Sequence, residues 1–239
     1  MSPFLSLVIP AYNEAERIGN SLKQAVEYLA EQSYSFEIIV VDDGSTDKTV
    51  QIIHKLNDDI EFVKLIRQPQ NMGKGAAVRR GMLEATGEYR IFTDADFSTP
   101  VHEVEKALKV FKKGADVVIG SRVLDRSTIK RAQPRHREAM GRVFSRAVQA
   151  TVFKGIDDTQ CGFKGFTAKA AESIFSRAKI NGFGFDVEIL YLAKRLGFEI
   201  EQIAVEWHND ERSKVSSLSG LKAFLDIMTI KRLHKNERF

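Results

Sequence analysis

The chain has 239 residues, 43% of them hydrophobic and 28% charged, enough for one large core and an ordinary balance that excludes both disorder and an integral membrane class. Its net charge of +4 is modest, but basic residues crowd into 126–146 and again after 222, so local patches matter more than the total. The single Cys161 excludes an internal disulfide and fits a reducing compartment; with no basic leader, no signal-peptide-length apolar run and none approaching a membrane span, the expectation is a one-domain cytosolic protein.

In chain order, residues 5–9 form a short apolar strand closed by Pro10, and the loop 11–14 leads into an amphipathic helix over 15–31. A second buried strand, 37–41, ends in Asp42, Asp43, Gly44 and Ser45, before a helix over 47–56 that Ser45 or Thr46 would cap. A third strand spans 62–67; the glycine-bearing loop 71–75 then opens a helix over 76–85. Strands alternating with helices at this spacing imply βαβ units, right-handed crossovers and a mostly parallel sheet, in which ligands bind beyond the carboxyl ends of the strands. The polar runs 10–14, 42–45 and 94–96 all fall at such ends.

The fourth strand carries the strongest chemical signal. Ile91, Phe92 and Thr93 suit a central strand, and Asp94 and Asp96 flank Ala95 where it ends. Residues two apart in a strand point the same way, so two carboxylates concentrate negative charge where a hard cation would sit. Mg²⁺ or Mn²⁺ held by carboxylates plus substrate phosphates is the matching chemistry. Beyond it come a helix over 101–112, a strand over 115–119 ending in Gly120, Ser121 and Arg122, and a basic loop over 123–137. A helix over 138–153, a glycine-broken β-like segment over 160–166, helices over 169–175 and 186–196 and a strand over 198–207 complete this part, with no internal repeat.

The motifs VIPAYNE (8–14), VVDDGS (40–45), NMGKGAAVRRG (71–81) and DAD (94–96), in that order, resemble the family 2 inverting glycosyltransferases of the Rossmann-like GT-A fold. GSR (120–122), QCGFK (160–164), GFDVEIL (184–190) and RSK (212–214) narrow the resemblance to polyprenyl-phosphate sugar synthases, the dolichyl-phosphate mannosyl- and β-glucosyltransferases, and the wording of NMGKGAAV and DTQCGFK leans to the glucosyl branch. The resemblance implies an α/β GT-A domain with a mostly parallel central sheet and flanking helices, a nucleotide-sugar donor such as UDP-glucose or GDP-mannose, and a polyprenyl or dolichyl phosphate acceptor.

Residue by residue, it implies that Pro10, Tyr12, Glu14, Val41, Asp43, Gly73, Lys74, Asp94 and Ala95 hold the donor nucleotide, with Asp43 facing the base while Asp42 makes the turn. Asp94 and Asp96 would take the metal and, with Arg122, form the catalytic set; Ser98 stands where the mannosyl branch often has glutamine, a shorter and weaker ligand. Arg122, Arg137, Arg212, Ser213 and Lys214 would hold the acceptor phosphate. A phosphate monoester, with a second pKa of roughly 6, is already mostly ionised at neutral pH, whereas a hydroxyl acceptor needs a base, for which Asp186 is the candidate unless it is structural. His102, His136 and His208 show no metal-ligand spacing and receive no role, and Trp207 is read as core or rim.

Two other readings stay open: a GT-A enzyme acting on a non-lipid hydroxyl, and a non-catalytic sugar-nucleotide-binding protein. No nucleic-acid motif accompanies the basic stretch. The chain divides into the glycosyltransferase domain, 1–217, and a basic amphipathic helix, 218–239, whose stripe of Leu218, Leu221, Leu225, Met228, Ile230 and Leu233, widened by Phe224 and Ile227, would pack on the core or lie on the cytoplasmic face of a membrane.

Overall fold

A parallel strand covered by helices on both faces has no solvent side, so its sequence is apolar without alternation. Residues 38–41, IIVV, meet that condition, and the computed structural model, which describes residues 2–57, 62–125, 129–131, 135–208 and 217–237, places them fully buried in the sheet layer of an α/β unit. The strands are β1 (Leu5–Ala11), β2 (Phe36–Asp42), β3 (Val63–Arg67), β4 (Tyr89–Phe92), β5 (Val117–Ser121), β6 (Ile129–Arg131), β7 (Lys164–Thr167), β8 (Ile200–Ala204) and β9 (Trp207–His208). The helices are α1 (Ile18–Ala30), α2 (Thr49–Asn57), α3 (Lys74–Glu84), α4 (Val104–Phe111), α5 (Arg135–Thr151), α6 (Ala168–Phe175), α7 (Phe185–Arg195) and α8 (Ser217–Leu233), with a 3-10 turn at Val101–Glu103.

The main sheet runs β3-β2-β1-β4-β7-β5-β8. Its left half is parallel throughout; β7 runs antiparallel to both β4 and β5, and β5 pairs parallel with β8. Val8, Ile39 and Val41 pack with α3, α6 and α7 on one face, while Leu7, Ile9, Ile38 and Val40 pack with α1 and α4 on the other.

Pro10 does not close β1, as its ring suggests, but sits inside it, paired with Val41. Val8 accepts from Thr93 N on the β4 side, so Pro10, two residues on, turns its missing N–H toward the same side, where β4 has already ended at Phe92. The proline therefore gives up no ladder bond, and the space past the end of β4 becomes the floor of the cleft described below.

Three further expectations are corrected. The stretch 123–137 is not all loop: β6 pairs with β9 and α5 begins at Arg135. The loop 71–75 is shorter than its glycines suggest, because α3 already starts at Lys74. α8 packs against α5 and α7, and its buried residues are Ala223, Ile227 and Ile230, followed by buried His234 just past its end, whereas Leu225 and Met228 of the expected stripe are 58% and 60% exposed. Phe224 and Leu233 are exposed as well, and the side chains of Leu218 and Leu221 lie outside the described residues. Apolar residues stand on nearly every side of this helix, so its periodicity does not single out one face.

Candidate active site

The ends of β1, β2 and β4 and the start of α3 converge on a cleft of about 390 Å³. The first two loops lock together: Asn13, in a left-handed conformation (φ 55°), receives the Thr46 N–H on its Oδ1 at 2.8 Å and donates its own N–H to Ser45 Oγ at 2.8 Å. The start of α2 is held by Asp47, whose Oδ1 accepts from Thr49 N at 2.9 Å, and not by the expected Ser45 or Thr46. Asp42 makes the turn assigned to it, accepting from Ser45 N at 3.2 Å.

Asp43 lines the cleft, but its carboxylate also braces the next loop. Oδ1 accepts from Gln68 Nε2 and Met72 N at 2.8 Å each, and Oδ2 accepts from Gly73 N at 2.9 Å. Burial raises its pKa, opposed by those N–H groups. Gly73 has φ 102°, and a Cβ there would stand 2.4 Å from the Asn181 carbonyl oxygen, so only glycine passes the chain between Asp43 and the 180–182 segment.

That passage aims Lys74 at the metal-binding candidates. Its Nζ lies 2.6 Å from Asp94 Oδ1 and 6.0 Å from the ring centroids of Phe183 and Phe185. Burial acts to lower the pKa of this ammonium, but Asp94 and then Asp186 outweigh it and hold it above the ordinary lysine value. Lys74 is thus a paired cation in the cleft wall, not a solvated surface lysine.

Asp94 rests against backbone: a Cβ on Gly162 would stand 2.0 Å from its Oδ2. Asp96 Oδ1 accepts from Ser98 N at 2.9 Å, while Arg17 Nη1 stands 3.8 Å from its Oδ2. Burial, followed by repulsion from Asp94, raises the Asp96 pKa. With Glu14 also on Arg17, three carboxylates face one lysine and one arginine, so one negative charge is left over, and Asp94 and Asp96 are hard oxygen donors that fit a divalent cation. Glu14 is forked onto Arg17, with Nη2 at 3.0 Å from Oε1.

Pro10, Tyr12, Glu14, Asp43, Gly73, Lys74, Asp94, Ala95 and Asp96 all line this cleft, together with Arg17 and Phe183. Val41 does not: its side chain is fully buried in the core beneath. Arg122 stands apart from the lining, its Nε and Nη2 donating to Asp158 Oδ2 and Oδ1 at 2.8 and 2.7 Å, its guanidinium 5.4 Å from the centre of the Trp207 ring. Trp207, half-buried at the rim as expected, also sets its ring beside the arginine's cation. Arg137 belongs to α5 with its side chain outside the described residues, as Arg212, Ser213 and Lys214 are altogether.

Asp186 is buried in the first turn of α7 and caps nothing; it receives a hydrogen bond from Lys164 Nζ at 2.5 Å. Lys164 is fully buried too and also donates to the Cys161 carbonyl oxygen at 2.6 Å. Burial raises the Asp186 pKa, opposed by Lys164 and then Lys74. Arg17, Asp158, Lys164 and Phe183 were not anticipated. Arg17 follows Glu14 by three residues, a helical pairing distance, and Lys164 is a lysine inside an apolar run, a sign of a buried partner.

The sequence profile of glycosyl transferase family 2 matches residues 6–175. Dolichyl-phosphate β-glucosyltransferases from Saccharomyces cerevisiae and Dictyostelium discoideum are 39% and 38% identical to this chain, each match covering 95% of the chain and 74% of the relative. The enzyme of that name from Homo sapiens is 35% identical over the same shares. Among solved structures, glucosyl-3-phosphoglycerate synthase from Mycobacterium tuberculosis with UDP aligns at TM-score 0.68 and 19% identity, covering 99% of this chain and 82% of that one. A Pyrobaculum calidifontis mannosyltransferase with GDP-Man and Mn²⁺ aligns at 0.59 and 18%, covering 96% and 70%. At these identities the structural likeness is one of fold, and the fold is GT-A. With a family profile across most of its core and relatives above a third identical over nearly all of its length, the chain belongs to glycosyl transferase family 2, among the dolichyl-phosphate β-glucosyltransferases.

Proposed function

We propose that this glycosyltransferase moves a hexose, glucose from UDP-glucose ahead of mannose from GDP-mannose, to a polyprenyl phosphate with inversion. The names of its relatives support the reading, and one observation carries the acceptor class. The only carboxylate nominated as a base, Asp186, is buried and ion-paired to Lys164. A hydroxyl acceptor needs such a base to take its proton, while a phosphate monoester arrives ionised.

Asp94 and Asp96 would hold Mg²⁺ or Mn²⁺, which when bound neutralises the charge that builds on the leaving diphosphate. Lys74 places its ammonium beside the same carboxylates and Phe183 walls the cleft, while Tyr12 and Asp43 take base and ribose. Arg122, with Asp158 fixing the plane of its guanidinium through Nε and Nη2, offers Nη1 to the acceptor phosphate, joined by Arg137, Arg212, Ser213 and Lys214. The test is a donor screen of UDP-glucose, UDP-N-acetylglucosamine and GDP-mannose against polyprenyl phosphate with Mg²⁺ or Mn²⁺. Glucose transfer to the lipid is expected; transfer to a hydroxyl acceptor with no lipid phosphate present overturns the assignment.

Gly162→Ala tests the placement of Asp94. The clash falls on the movable end of a side chain, so the fold is expected to survive while the carboxylate is displaced by an ångström or more. Turnover should fall on the order of 10²-fold with an unchanged circular dichroism spectrum. Wild-type turnover would show that Asp94 needs no fixed position.

No helix among the described residues is long and apolar enough to cross a membrane. The route to a lipid is proposed to be peripheral: Phe224, Leu225 and Met228 are exposed on α8, with Lys222, Lys231, Arg232 and Lys235 exposed near them. Each cation contributes about 1 kcal/mol near an anionic surface. Because α8 also fills the core, point substitution is the sound test, not deletion. Phe224→Ser, Leu225→Ser and Met228→Ser combined should weaken sedimentation with anionic liposomes, and high salt should weaken it further; binding indifferent to both would remove α8 from the membrane contact.

A further inference from the structure

Away from the cleft, the turn Val101–Glu103 and the segment joining β8 to β9 bring together side chains that the sequence keeps 103 residues apart. His102, Glu103 and Glu206 each present a ligand atom within 4.8 Å of the others. His102 Nε2 lies 3.5 Å from Glu103 Oε1 and 3.9 Å from Glu206 Oε2. Donors around a tetrahedral Zn²⁺, with bonds of about 2.0–2.1 Å, stand roughly 3.4 Å from one another, so these atoms need only small shifts to share an ion. His208 Nε2 lies 2.6 Å from the other oxygen of Glu206, the position from which an outer partner orients a ligating carboxylate.

Glu103 supplies the second, independent sign. It is 1% exposed; Oε1 accepts from Lys106 Nζ at 2.8 Å and from Glu206 N at 3.2 Å, while Oε2 receives no hydrogen bond, only an ion-pair contact from the same Nζ at 2.8 Å. Lys106 has somewhere else to go, since the same Nζ already reaches the Ala204 carbonyl oxygen at 3.2 Å. A buried carboxylate that faces a histidine and a second carboxylate, held by a lysine with an alternative acceptor, is built for exchange of that lysine for a metal.

We propose that His102, Glu103 and Glu206 form a binding site for a borderline divalent transition metal of the Zn²⁺ class, with His208 orienting Glu206. An imidazole nitrogen among the ligands selects such an ion over Mg²⁺, which keeps to oxygen. The site is separate from the Asp94 and Asp96 pair, yet mechanically close to it. His208 N donates to Ser98 O at 2.8 Å, and Ser98 N is the group that holds Asp96. The same short strand carries Trp207, whose ring lies beside the Arg122 cation. An ion here pins β9 to the turn after the DAD motif, and so fixes both the donor-side aspartate and the arginine assigned to the acceptor.

The test uses the full chain, stripped with a chelator and free of nucleotide, titrated with Zn²⁺ against a chromophoric chelator and with Co²⁺ by absorption. One equivalent of Zn²⁺ is expected, with a Co²⁺ spectrum showing nitrogen ligation. His208→Gln should weaken binding about tenfold, the range for an outer partner, and His102→Gln should weaken it further. His102 and His208 are 48% and 46% exposed, so both variants keep the fold. Asp96→Asn should leave Zn²⁺ binding in place, which separates this site from the donor cleft. Equal Zn²⁺ affinity in wild type and both histidine variants, no binding in wild type, or loss in Asp96→Asn alone each overturns the proposal.

Discussion

Asp96→Asn is expected to lower kcat on the order of 10²–10³-fold while leaving the protein folded. The amide keeps an oxygen that can accept from Ser98 N, so the turn after β4 survives, but it removes the negative charge that the burial of Asp96 and its closeness to Asp94 set aside for a cation. Burial and repulsion raise the Asp96 pKa above the ordinary carboxylate value, and a proton and a metal compete for the same oxygens. Metal-induced stabilisation in thermal shift should therefore be weak near pH 4 and grow as pH rises past that raised value, and the asparagine variant should show no such growth. Calorimetry with UDP and Mn²⁺ supplies a readout apart from turnover. Near-normal turnover across metal concentrations in the variant would remove Asp96 from the metal site.

The position of this aspartate was legible from sequence because buried parallel strands announce their own ends. IIVV followed by DDGS, and RIFT followed by DAD, each mark the passage from a core covered on both faces to a cleft. Periodicity is silent about direction and about elements shorter than its own period. The four residues of β7 do not reveal that they run antiparallel, and β6 and β9, of three and two residues, sit inside what reads as a basic loop and a strand end. Nor does sequence reveal which charge neutralises which. Arg122 reads as a hand held out to a phosphate, and its residue type supports that; Asp158, 36 residues on, already fills two of its nitrogens. His102 and His208 show no ligand spacing along the chain because the fold supplies the spacing.

Lys164→Met is expected to give the largest loss of stability of any single change at these sites, about 3–5 kcal/mol, because it takes from the buried carboxylate of Asp186 its hydrogen-bonded ion-pair partner and leaves only the weaker influence of Lys74. Coulomb attraction between two buried ions roughly offsets their desolvation, so the intact pair adds little net stability, whereas half of it is a heavy liability. The double variant Lys164→Met with Asp186→Leu, which removes both charges and keeps apolar volume, should therefore recover most of what the single variant loses. Acid should rescue the single variant in part. Burial raises the folded-state pKa of Asp186 and Lys164 opposes that rise, so removing the lysine lifts the pKa further. A carboxyl with a raised folded pKa favours folding below its unfolded pKa and loses that contribution as pH climbs through the folded value, so the deficit should shrink between pH 7 and pH 5. Urea denaturation of the wild type and both variants at the two pH values measures this. A single variant that loses less than about 1 kcal/mol, or a deficit that does not change with pH, would mean that water reaches Asp186. It would then be restored as a candidate base, and the case for a phosphate acceptor would lose the observation on which it rests.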